Sequence, residues 1–135
     1  MFMKVLLVSA LLSASSASIS DCSKGLSLFS IQNLEFYPDP AIRNENSTIA
    51  FAYTVPQPGV TGGTATFSAT YNFLPLSPTV EDLCSSVTCP IVPGPYYTST
   101  TTVFPDITGS LVAKIEWKDT NGVQLLCAEI KTKTA

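Results

Sequence analysis

Residues 84–127 read CSSVTCPIVPGPYYTSTTTVFPDITGSLVAKIEWKDTNGVQLLC, and this stretch decides the fold class. Between Leu111 and Lys118 an apolar residue occupies every odd position, and three of the four even positions carry a charge. This period of two predicts a β-strand with one face buried and the other in water. Asn121-Gly122 predicts a tight hairpin turn, because this pair readily adopts positive φ angles. The chain is then expected to return as a partner strand as far as Lys133.

Similar patterns recur earlier in the chain. Residues 47–55 and 63–73 alternate apolar side chains with small ones, and they predict two strands whose inward faces include Phe67, Tyr71 and Phe73. Less regular strands are expected at 25–37 and 96–104, and the proline-broken segment 74–78 is expected to form an irregular edge. Six or seven short strands separated by turn residues predict an all-β fold, an immunoglobulin-like antiparallel β-sandwich.

The first eighteen residues predict a secretory signal peptide. Lys4 precedes an eight-residue apolar run broken only by Ser9, and small residues follow. A membrane-spanning helix needs roughly 20 apolar residues, so this run is too short to be one. We therefore expect a signal peptide at 1–18 and one domain at 19–135, a monomer that is secreted or resides in a lysosomal or vacuolar lumen. Removing Lys4 changes the net charge from −3 to −4, and without a basic cluster nucleic-acid binding is not expected.

The sequence offers little material for catalysis. It contains no histidine, which is the most frequent general base and a frequent zinc ligand. Glu81 and Asp82 form the only adjacent pair of carboxylates, and neighbours on an extended strand point to opposite faces. We therefore expect no enzyme, no metal site and no cofactor.

Four cysteines behind a signal peptide predict two disulfides, and the sequence alone permits three pairings. Asn46-Ser47-Thr48 is an N-glycosylation sequon in a predicted turn, so Asn46 is a candidate glycosylation site.

Several short motifs occur in an order that resembles a known family. They are Cys89-Pro90-Ile91, Phe104-Pro105-Asp106-Ile107, Ile115-Glu116-Trp117 and Leu125-Leu126-Cys127-Ala128-Glu129-Ile130. Together they resemble the ML lipid-recognition domain family, which includes sterol carriers and phosphatidylglycerol/phosphatidylinositol transfer proteins. The resemblance is dense over residues 84–130 and thinner over 22–83. It implies disulfides between Cys22 and Cys127 and between Cys84 and Cys89.

The resemblance also implies a site. In this family the two sheets splay and lipid enters the apolar space between them. By position, the entrance corresponds to Leu74, Pro75 and Leu76 on one side and to Phe104 and Pro105 on the other. The other expected lipid-binding residues lie on inward faces, and they are Phe51, Tyr53, Phe67, Tyr71, Ile107 and Trp117.

Two interpretations of these inward faces remain open at this point. The side chains either fill a solid sandwich core, as interiors usually are filled, or they line a cavity for a lipid. The family resemblance favours the cavity and predicts a carrier of sterol or phospholipid, with transient contacts to membranes or to a lipid-handling receptor. The alternative function is a recognition module that presents lipid to a receptor.

Overall fold

The computed structural model describes residues 17–106 and 108–133. Nine strands lie in this part of the chain, and a single 3-10 turn, Leu83–Ser85, follows the sixth. The strands are β1 (Ser18–Asp21), β2 (Ser30–Tyr37), β3 (Asn46–Val55), β4 (Gly63–Tyr71), β5 (Leu74–Pro75), β6 (Thr79–Asp82), β7 (Gly94–Val103), β8 (Ser110–Asp119) and β9 (Gln124–Lys133).

The strands form two antiparallel sheets, which confirms the predicted fold class. One sheet has the order β1-β9-β8-β4-β5, with β6 also paired to β4, and the other has the order β2-β3-β7. The hairpin of β8 and β9 turns at Asp119, whose Oδ1 accepts hydrogen bonds from the backbone N–H groups of Asn121 and Val123 at 2.8 and 2.9 Å. Gly122 has a φ of 83°, as the Asn-Gly motif predicted.

Two strands in the structure were not predicted. Strands β1 and β6 have four residues each and lie at sheet edges, where short strands give a weak periodic signal. The first predicted strand is shorter than expected, because β2 begins at Ser30. The predicted signal peptide lies outside the described residues except for Ala17 and Ser18, and Ser18 already pairs with Lys131.

The prediction that Phe73 faces inward is wrong. Strand β4 ends at Tyr71, which pairs with Leu74 across a two-residue turn. Asn72 and Phe73 form this turn with φ angles of 47° and 69°, the geometry of a hairpin turn with two left-handed residues. The Phe73 side chain is consequently 94% exposed at the tip. A bulky residue at positive φ is unusual, so the strand pattern gave no sign of the turn.

Bulky aromatic side chains fill one end of the sandwich. Tyr53 lies at the centre of this group, with ring centroids 5.7 Å from Phe29, 5.3 Å from Trp117 and 5.3 Å from Tyr96. Phe51 also packs against Trp117, at 6.2 Å. These offset and edge-on contacts are the arrangements that aromatic pairs prefer. This end of the interior is therefore a conventional close-packed core, and we call it the filled end.

Both predicted disulfides are present, and they lie towards the filled end. Cys22 is bonded to Cys127 with a Cα–Cα distance of 5.1 Å, and Cys84 is bonded to Cys89 with 5.5 Å. The backbone N–H of Cys22 also donates to the carbonyl of Cys127 at 3.0 Å, which continues the pairing of β1 with β9. Over residues 17–106 and 108–133, the fold has no helix whose length and apolar character would let it span a bilayer.

Candidate functional site

An apolar cavity of about 210 Å³ lies between the two sheets at the end opposite the filled one. Strands β2, β3, β4, β7, β8 and β9 all contribute side chains to its walls. Its volume is below the roughly 300–1,000 Å³ usual for pockets that enclose a drug-sized ligand. A ligand with a long chain therefore requires the sheets to move apart, or it leaves part of its length outside.

The cavity wall combines large apolar side chains with several short ones. Ala69 of β4 and Ala113 of β8 are paired directly across the sheet, and both line the cavity. On the facing sheet, Ser47 of β3 is paired with Thr102 of β7, and both line it too. The equivalent positions further along the strands carry the large rings of the filled end. The inward faces of the two sheets are thus in close contact at the filled end and leave a space between them at the opposite end.

The entrance is built from residues of three segments. Phe67, Leu76 and Pro105 line the cavity, and the side chains of Phe67 and Leu76 are 40% and 48% exposed. Phe104, which is buried, is held by hydrogen bonds between its backbone and the backbone of Asn44 and Glu45, at 3.0 and 2.8 Å. Apolar surface thus extends from the interior out to solvent.

The hairpin tip is tied to the loop that follows Pro105. The hydroxyl of Tyr71 donates to the carbonyl of Thr108 at 2.7 Å, and the backbone N–H of Ser110 donates to Asn72 Oδ1 at 2.9 Å. These bonds position the exposed Phe73 beside the entrance.

The structure distributes the predicted lipid-binding residues over three places. Four line the cavity, and they are Phe67, Leu76, Phe104 and Pro105. Three pack in the filled end instead, and they are Phe51, Tyr53 and Trp117. Tyr71 and Leu74 border the entrance hairpin without lining the cavity, and Ile107 lies outside the described residues.

Sequence reasoning missed the short and polar side chains of the cavity, including Ser47, Ala69, Ala113 and Thr132. The sequence gives no clear signal for them. On the inward face of β8, Ala113 stands between Leu111 and Ile115, which also line the cavity, so no run of small residues marks this part of the strand.

The polar side chains that line the cavity are those of one serine and three threonines, Ser47, Thr100, Thr102 and Thr132. Ser47 lines the cavity, and its Oγ is buried without a hydrogen-bond partner. Just outside the entrance, Ile42, Arg43, Asn44 and Asp106 line a second, polar depression of about 290 Å³.

None of the described residues that line the cavity has a titratable side chain. At the filled end, burial and then the neighbouring Tyr96 raise the pKa of Tyr53 above its ordinary value. Among the residues that the structure describes, no three His, Cys, Asp or Glu side chains group in a way that would hold a metal ion.

Comparison with known proteins assigns the family. The family model described as the ML domain (E1_DerP2_DerF2) matches residues 16–134. The chain belongs to the ML domain family. Two proteins of Dictyostelium discoideum, named putative phosphatidylglycerol/phosphatidylinositol transfer proteins 1 and 3, are each 29% identical to it over 119 residues. The alignment covers 83% of this ML chain and 77% of each relative.

Solved structures show the same fold. A Niemann-Pick type C2 protein from the Japanese carpenter ant superimposes with a TM-score of 0.66 at 18% identity, covering 87% of the ML chain and 99% of the ant protein. Chicken MD-1, solved in complex with lipid IVa, gives 0.62 at 12% identity, covering 87% and 88%. The ML assignment confirms the predicted family and supports lipid binding as the class of function.

Proposed function

We propose that this ML protein is a non-enzymatic carrier that binds the apolar chain of a lipid between its sheets and moves the lipid through water between membranes. The observation that carries the proposal is the open apolar cavity, with its exposed entrance at Phe67 and Leu76. Each methylene that leaves water for the cavity contributes about 0.8 kcal/mol, so the part of an acyl chain that the cavity encloses supplies the binding energy. The names of the Dictyostelium relatives favour a phospholipid cargo.

The hairpin tip is the proposed point of contact with membranes. Phe73, Leu74 and Leu76 are exposed apolar residues, and Leu76 also lines the cavity. Lipid can therefore pass from the bilayer to the cavity along a continuous apolar surface. We propose that the protein is secreted or resides in a lysosomal or vacuolar lumen, which agrees with its two disulfides.

Lipid binding is tested by native mass spectrometry and by uptake of a fluorescent phospholipid and a fluorescent sterol. The Phe67→Asp variant places a charge on the cavity wall and is expected to abolish uptake. Tyr97→Asp is the matched control, because Tyr97 is exposed and lies outside the cavity lining. If wild-type protein took up neither probe, or if both variants behaved alike, the carrier function would be wrong.

Membrane contact is tested separately. Phe73→Asn removes the apolar tip and keeps a residue that tolerates positive φ, so the turn is preserved. We expect slower transfer to acceptor vesicles with unchanged lipid affinity. An unchanged transfer rate would exclude this hairpin as the contact.

A lipid-dependent recognition module is the second candidate function. The exposed position of Phe73 beside the entrance favours it, because a receptor would contact the tip and the bound lipid together. In that case lipid stays bound in the presence of acceptor vesicles, and the loaded protein is captured by a receptor whereas the delipidated protein is not.

A further inference from the structure

Strand β1 begins inside the segment that the sequence predicts to be removed as a signal peptide. Ser18 pairs with Lys131 of β9, and the next residue, Ile19, packs against the buried core. A cut after residue 18 would therefore delete the first of the residue pairs that join β1 to β9. The pairing of β1 favours a mature chain that begins before Ser18.

The residue before β1 makes a specific polar contact. The backbone nitrogen of Ala17 donates a hydrogen bond to Asp39 Oδ1 at 2.7 Å. Asp39 stands between Pro38 and Pro40 in the segment after β2, and each proline ring fixes a backbone dihedral. Neither of the salt bridges that join described side chains involves Asp39. The carboxylate of Asp39 is thus held in place and is available to a cation.

The sequence before Ala17 allows a cut at this point. Signal peptides are cleaved after an A-x-A-like pattern, with small residues at the third and first positions before the cut. Ala14 and Ser16 satisfy this pattern for a cut after residue 16, but neighbouring cuts satisfy it too. The contact with Asp39 distinguishes between them, because only a cut after residue 16 places the new amino group on the nitrogen that contacts the carboxylate.

We propose that the mature protein begins at Ala17 and that its terminal ammonium forms an ion pair with Asp39. Hydrolysis of the bond between Ser16 and Ala17 adds water, which leaves a carboxylate on the removed segment and an amine on Ala17. A terminal amine is mostly protonated at neutral pH. The neutral donor of the uncut chain thus becomes a charged donor, and charged hydrogen bonds are shorter and stronger than neutral ones.

This ion pair joins the two sheets. Ala17 precedes β1 of the six-stranded sheet, whereas Asp39 follows β2 of the three-stranded sheet. Phe36, which lines the cavity, lies three residues before Asp39, so the ion pair is near the cavity end. The other end of β1 is followed directly by Cys22, which is bonded to Cys127. Strand β1 is therefore fastened at both ends, at the sheet edge opposite β5.

The cleavage site is tested on the full-length chain, secreted by a host that removes signal peptides. N-terminal sequencing and intact mass spectrometry of the secreted protein are expected to give Ala17 as the first residue. Ser16→Phe places a bulky residue directly before the cut and is expected to move or abolish processing. Ser18→Phe is the matched control, because it blocks a cut after residue 18 but leaves Ala17 first under the proposal. A wild-type protein that begins at any other residue would overturn the proposal.

The ion pair is tested on the processed protein by the rate at which a reagent acylates its terminal amine at neutral pH. The reagent attacks the unprotonated amine, and a carboxylate in contact favours the protonated form. Asp39→Asn is expected to raise the rate roughly two- to fivefold, the range that exposed ion pairs provide. A cooperative urea transition verifies that this variant is folded.

Glu81→Gln is the control for the acylation experiment, because it removes a carboxylate from β6, which pairs with β4 on the far side of the six-stranded sheet from β1. Its acylation rate is expected to equal that of the wild type. If Asp39→Asn and Glu81→Gln gave equal rates, the ion pair would be wrong even with Ala17 as the first residue. The inference does not rest on the carrier function, so both experiments are independent of lipid uptake.

Discussion

Filling the cavity with a larger side chain is expected to stabilise the empty protein, although larger residues in a packed interior usually destabilise. Ala113 is 7% exposed and lines the cavity, with Ala69 and Ile130 as its neighbours across the sheet. In Ala113→Leu, three added carbons enter the cavity. At about 0.8 kcal/mol per methylene, less roughly 0.5–1 kcal/mol of side-chain entropy, the free energy of unfolding rises by about 1–2 kcal/mol.

The matched control is Ala128→Leu, the same chemical change at a fully buried position that does not line the cavity. There the added carbons have no space, and a loss of about 1–3 kcal/mol is expected. Urea unfolding of the delipidated proteins measures both values, and lipid uptake should fall in Ala113→Leu. If Ala113→Leu destabilised the delipidated protein as much as Ala128→Leu does, the cavity would not exist in solution and the reasoning would be refuted.

Three further predictions concern the disulfide, the core and the glycan. Replacing both Cys22 and Cys127 by serine removes a disulfide that joins residues 105 positions apart. The free energy of unfolding, measured with urea, is expected to fall by about 4–5 kcal/mol. A negligible loss would show that this disulfide is dispensable for stability. Burial raises the pKa of Tyr53 above its unfolded value near 10, so its contribution to stability is retained below about pH 10 and is lost as the pH rises through the folded pKa. Tyr53→Phe should therefore flatten the decline of the free energy of unfolding at high pH. An unchanged dependence of stability on pH would contradict the raised pKa of Tyr53. Asn46 is exposed at the start of β3, so in a glycosylating host Asn46→Gln should increase electrophoretic mobility, and identical mobility would exclude a glycan there.

The sequence predicted the sheets better than the space between them. Alternation identified β3 and β8 almost to the residue, because a strand with one buried face has apolar residues at every second position. Alternation says which way a side chain points but not what lies opposite. Phe51 and Trp117 were predicted to face inward, and they do, yet they contact each other in the filled end.

The position of the cavity depends on pairs of side chains from different strands. Short side chains of the cavity wall are paired within each sheet, Ala69 with Ala113 in one and Ser47 with Thr102 in the other. Each of these residues alone is unremarkable in a strand. Their registers place the short ones together, and a register set by long-range pairing is not visible in any single segment. The turn at Asn72-Phe73 was not predicted, because the alternating strand pattern continues through it without a break.

The division of the sandwich into two ends also has an energetic logic. The apolar walls of the empty cavity lack the packing contacts that a filled interior provides, and this lowers the stability of the empty protein. The link between Cys22 and Cys127 contributes about 4–5 kcal/mol of stability. Both disulfides and the aromatic contacts of Tyr53 lie towards the filled end, where they cannot obstruct the entrance. A fold stabilised at one end can thus tolerate a space at the other, and a lipid that fills this space recovers the cost as binding energy.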